Sequence, residues 1–79
     1  MYKVYVIDSK MYYTGYALVA AESAEMATKE IEIFKRTDKD NSRDSKGYHS
    51  SVSEDDALEG DFSENSGIIF HGIKYTGWC

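Results

Sequence analysis

Proline is missing from all 79 residues of the chain, so its turns have to be made by Gly, Asn, Asp or Ser. The one cysteine, Cys79, stands at the last position. An intramolecular disulfide is therefore excluded, and the chain reads as the product of a reducing compartment, with the cytoplasm expected. No run of about 18 apolar residues is present to cross a bilayer. The opening MYKVYVID alternates and carries charge where a signal peptide would have an unbroken apolar stretch, so neither export nor membrane attachment is expected. Basic side chains are also missing over a long interval: residues 47–73 contain no Lys or Arg.

That same interval holds six carboxylates, Glu54, Asp55, Asp56, Glu59, Asp61 and Glu64. Residues 1–46 balance eight basic against eight acidic side chains, and Lys74 brings the remaining minus six to the net charge of −5. Charge of one sign held in one segment steers cationic partners and repels nucleic acid and anionic membrane. A hydrophobic share of 42% is that of a globular chain, and at this length one thin core is expected. Seven tyrosines supply most of the aromatic content, a residue suited to half-exposed contact surfaces.

Residues 2–20 read as a β-hairpin. YKVYVID and YYTGYALVA are rich in β-formers at near period-2 spacing, separated by the short Asp8-Ser9-Lys10-Met11. Val4 and Val6 share one face, Tyr5 and Ile7 the other. Gly15 marks a bulge or a close backbone approach. Residues 23–36 read as a helix: Ser23 is a good N-cap, and Lys35 and Arg36 suit the negative C-terminal end of the dipole. Ala24, Ala27, Ile31 and Phe34 fall on one stripe with Met26 and Ile33 on its flank, while Glu25, Lys29, Glu32 and Arg36 lie opposite. Residues 37–66 are a polar and acidic segment with sparse anchors, Tyr48, Val52, Leu58 and Phe62. A third strand is expected near Tyr48 to Ser53 and a short helical piece or turn near Glu54 to Leu58, with 38–46 as a mobile stretch. Residues 67–76, with the apolar run Gly67 to Tyr75, read as a buried strand. The expected class is α+β, a single small domain over residues 1–79. Its antiparallel sheet is built from the N-terminal hairpin plus the C-terminal strand, with one helix packed on one face.

Asp38, Asp40, Ser42 and Asp44 alternate as calcium-loop ligands do, but the sixth and twelfth positions are Arg43 and His49 in place of Gly and Glu, so the stretch reads as a solvated loop. His49, His71 and Cys79 are too widely spaced for a zinc site, and His71 reads as a partly buried, hydrogen-bonded imidazole. No metal or cofactor is expected. A terminal thiol lacks the scaffold a nucleophile needs. Glu30 lies at the boundary of the helix stripe and is expected to pair with a Lys or a Tyr hydroxyl rather than act as a general acid. Tyr12, Tyr13 and Tyr16 could stack bases only beside a positive groove, and Lys10 alone accompanies them, so direct nucleic-acid binding is not expected.

In size, acidity, lone helix and lack of a catalytic motif, the chain resembles the small inhibitors that phages and mobile elements encode against bacterial defence nucleases, anti-CRISPR proteins among them. The resemblance implies a host-cytoplasmic protein partner and no cofactor, and it transfers no site residue. The function expected is thus a small acidic binding module, not an enzyme. It would dock on a basic surface of a nucleic-acid-handling protein through Glu54, Asp55, Asp56, Glu59, Asp61 and Glu64. The alternative is an accessory domain whose acidity serves solubility and which self-associates through sheet edges or the tyrosines, so a homo-oligomer is open.

Overall fold

The structure is a computed structural model that describes residues 1–39 and 42–77, with the Ser42 side chain set aside. Asp40 of the calcium-like stretch, Trp78 and Cys79 lie outside the described residues. The chain forms β1 (Tyr2–Asp8), β2 (Tyr13–Ala21), α1 (Ala24–Thr37), a single-turn α2 (Ser42–Ser45), a 3₁₀ turn (Glu54–Asp56), β3 (Ala57–Ser63) and β4 (Gly67–Tyr75). The four strands make one antiparallel sheet in the order β3-β1-β2-β4, with α1 laid on one face, a small α+β domain.

The hairpin forms because alternation gives each of its faces an apolar set. Tyr5 pairs with Val19 and Ile7 with Ala17, and all four face the helix in the core; Val4 pairs with Ala20 and Val6 with Leu18 on the opposite face. The turn closes through Tyr13 N–H to Lys10 C=O at 3.1 Å, with Tyr12 at φ 71°. Without proline or a glycine at that position, a tyrosine takes the left-handed conformation, a sparsely populated one for a bulky residue. Gly15 is a close approach: a Cβ there would run into the Gly72 carbonyl of β4.

The Ser23 hydroxyl accepts from Met26 N–H and starts α1, and the Asp38 N–H closes the last turn on Phe34 C=O. Ala24, Ala27 and Ile31 are buried and Phe34 packs against the same cluster. Four alanines at the contact, Ala17, Ala21, Ala24 and Ala27, are small enough for the helix to lie close on the sheet. Met26 and Ile33, expected on the flank, stay 42% and 48% exposed. Glu32, placed on the solvent side by the helical wheel, instead accepts the Ser50 hydroxyl and faces Lys35 at 3.7 Å.

Two expectations for the second half are corrected. The third strand is β3 at Ala57–Ser63, not Tyr48 to Ser53; Tyr48 makes only an isolated bridge to Ser9, beside β1's outer edge. Its ring is the reason: Tyr48 is fully buried against Phe34 and completes the core, which holds the loop in place without a strand ladder. Within the stretch 38–46 the described residues include helix α2, where the Arg43 guanidinium lies 3.7 Å above the Tyr75 ring and the Tyr13 hydroxyl donates to the Arg43 carbonyl. β4 is an edge strand and largely exposed, because the strand order leaves it a neighbour on one side only. The short helical piece falls within its expected range, at Glu54–Asp56.

Candidate functional site

The acidic segment folds into the 3₁₀ turn and β3, at the outer edge of β1. Pairing runs Tyr2 with Ser63, Lys3 with Phe62 and then Tyr5 with Ala57. Two steps along β1 thus correspond to five along β3, and the three extra residues bulge out of the ladder. Gly60 at φ 80°, with open space where a Cβ would stand, allows the excursion. Bulges re-aim side chains, and this one turns a stretch that would otherwise pair into a projecting rim.

The six carboxylates do not act alike. Glu54 is built into the fold: it accepts the Tyr5 hydroxyl at 2.9 Å and the Ala24 N–H at 3.0 Å, a free amide of the first turn of α1, with Lys3 Nζ 3.9 Å away. The Ala24 amide first, and then the Tyr5 hydroxyl, hold its carboxyl below the usual range. Asp56 closes its own turn by accepting the Ser53 N–H at 2.8 Å. Asp55, Glu59, Asp61 and Glu64 are exposed, and among the described residues none of the four enters an ion pair. Between them stand two apolar side chains, Leu58 at 38% and Phe62 at 58% exposure. The sequence marked these two as anchors of a core. The bulge carries them to the surface, so an acidic rim gains apolar contact points that charge counting missed.

Basic side chains collect at the other end of α1. Lys35, Arg36, Lys39 and Lys46, with Glu32 and Asp38, line an open cleft of about 600 Å³. The Lys35 ammonium donates to the Tyr48 carbonyl at 2.9 Å and the Ser50 hydroxyl at 2.8 Å, pinning the loop to the helix. Burial first, and then the neighbouring charge of Lys10, push its pKa down. A helix of this length spans about 21 Å, and its two ends differ: Glu54 sits at the positive end of the helix dipole, and Lys35, Arg36, Lys39 and Lys46 cluster at the negative end. The balance of eight against eight over residues 1–46 concealed this.

The remaining candidates are dispersed. His49 sits beside β1 with its amide on Asp8 C=O, whereas His71 lies on β4 beyond both hairpin strands, and Cys79 is outside the described residues. His71 is exposed, not partly buried as expected, and its ring lies tilted against that of Phe34 with centroids 4.8 Å apart. Among the described residues no three His, Cys, Asp or Glu side chains gather as a metal site. Glu30 is half-buried with its carboxylate over Gly67, and the expected Lys or Tyr partner is absent among the described residues. The three tyrosines diverge: Tyr13 packs on Tyr75 on the helix side, Tyr16 on Phe70 on the other face, and Tyr12 caps the hairpin turn with its carbonyl taking the Thr76 N–H. Among the described residues no helix is long and apolar enough to cross a membrane.

Compared with protein-family models, with curated proteins and with solved structures, the chain shows similarity to none. The reading of its site therefore rests on geometry and charge.

Proposed function

We propose that the chain is a protein-binding module whose β3 rim docks on a basic surface of a partner, consistent with an inhibitor of a nucleic-acid-handling protein. One observation carries the reading: four unpaired carboxylates, Asp55, Glu59, Asp61 and Glu64, flank the exposed Leu58 and Phe62 on a bulged edge strand. Unpaired charge steers encounter, and aromatic side chains set in a polar rim are the usual anchors of a contact. Charge alone needs no Phe62 at the surface. The reading narrows the contact from six carboxylates to four, because Glu54 and Asp56 are engaged within the fold.

A second reading is favoured by the same bulge. Charges and bulges on an edge strand also keep sheets from adding to one another, and then the acidity serves only solubility. The two part on one experiment. Protein captured from a host lysate by the parent chain is identified by mass spectrometry and its association measured at increasing salt. Replacing Asp55, Glu59, Asp61 and Glu64 with Asn or Gln is expected to slow association about tenfold or more and to flatten its salt dependence, and Phe62→Ser to speed dissociation. Glu25→Gln, an exposed helix position paired with Lys29 at 3.9 Å, is the control. If rates and salt slope are unaltered while the neutralised variant aggregates, the solubility reading stands.

A further inference from the structure

We propose that β4 pairs edge to edge, antiparallel, with β4 of a second copy of this chain, joining two four-stranded sheets into one of eight strands. The two edges of the sheet are built differently. β3 is interrupted by its bulge and carries Glu59 and Asp61, the devices by which edge strands avoid one another. β4 runs nine residues, GIIFHGIKY, with one formal charge, Lys74, near its end and no proline. Among the described residues no strand pairs with its outer side. A long apolar edge with unpaired backbone N–H and C=O groups is a template for another strand.

Charge selects the occupant. Each copy carries −5, and Asp55, Glu59, Asp61 and Glu64 lie in or next to β3, the far edge. Glu30 over Gly67 and Asp44 beside His71 are the carboxylates near β4, offset by Lys74 and Arg43 on the same side, so two copies meet at β4 with less repulsion than at β3. Pairing β3 with β3 would set carboxylates against carboxylates. A two-fold axis normal to the sheet gives an isologous, closed contact. With the axis near His71, the middle of the strand, Lys74 of one copy faces Ile68 of the other and not its own counterpart. Ile69 and Phe70, 49% and 46% exposed, supply the side chains of the contact. The ladder with β2 steps from Leu18–Phe70 to Val19–Ile68, which leaves Ile69 without a partner in its own sheet. Both copies of α1 then lie on one side, and the opposite faces join into one apolar surface.

The test is sedimentation equilibrium of the full chain under a thiol reductant, which removes any dimer made by Cys79, together with amide hydrogen exchange at low and high concentration. A mass of twice 9.0 kDa is expected, with β4 amides gaining protection as concentration rises. Ile69→Lys places a charge at an exposed position of the edge. It should weaken the dimer at least tenfold and abolish the concentration-dependent protection, leaving the circular dichroism and melting curve of the monomer unchanged. Glu59→Gln on the other edge should leave the dimer intact. A monomer at millimolar concentration overturns the proposal, as does a dimer that persists in Ile69→Lys with β4 exchange independent of concentration.

Discussion

At the scale of single side chains, Glu54 ties the acidic segment to the rest of the molecule. Its carboxylate joins the buried Tyr5 hydroxyl and the first free amide of α1, groups far apart in sequence. Both hydrogen bonds favour the charged form, so its folded-state pKa lies below the unfolded value. The stability it contributes is complete above the ordinary Glu value of about 4.3 and is lost as pH falls through the folded value. Glu54→Gln should lower the melting temperature at pH 7 by a few degrees and flatten its decline below about pH 4.3, read by thermal melts from pH 7 to 2. Glu32, held low by the Ser50 hydroxyl first, adds to the same acid limb. Tyr48 acts at the other end of the scale. Burial pushes its hydroxyl up to about 12, so its contribution is complete below the ordinary tyrosine value of about 10 and is lost as pH rises toward 12. Melts should hold steady to pH 9.5 and fall beyond it, and Tyr48→Phe should flatten that fall.

Among the elements, α1 carries the stability. Ile31 is fully buried against the sheet, so Ile31→Asp leaves an unpaired charge in the core at a cost of about 4 kcal/mol or more. A chain of this length holds only about 4–12 kcal/mol. Circular dichroism should show loss of the cooperative melt; an unchanged melt would mean that the helix does not pack by this stripe. The hairpin and α1 were legible in the sequence because their information is local: alternation in residues 2–20, and Ser23 followed by a 3.6-residue stripe. β3 was not legible, because its three-residue excess destroys the alternation of Ala57, Leu58 and Phe62 on which strand reading depends. Tyr48 was visible as an anchor, but its place under Phe34 is set by tertiary packing. β4 read as buried because a continuous apolar run fits burial on both sides, and only the strand order puts it at an edge. The candidate site was legible in its charge. Which carboxylates remain free depended on Tyr5 and Ala24, partners 49 and 30 positions away.

For the whole molecule, the two proposed associations respond to salt with opposite signs. The chain extends 40 × 23 × 17 Å, with Glu54 at the N-terminal end of α1 and the cluster of Lys35, Arg36, Lys39 and Lys46 at the other end, so its field is directional as well as net negative. A contact between the β3 rim and a basic surface is attractive at long range. Raising ionic strength from 0.1 to 1 M shortens the Debye length from about 10 Å to about 3 Å and should weaken that contact, mainly through slower association. Two copies meeting at β4 bring together −5 and −5. Screening removes their repulsion, so the dimer should tighten over the same range, helped further by salts that favour apolar burial. Sedimentation and partner-binding rates measured in one salt series test both. Opposite trends are expected, with the dimer strengthened a few-fold and partner association slowed about tenfold. If both weaken in parallel, the copies are held together by the acidic and basic ends of α1 meeting head to tail, and β4 is not their contact.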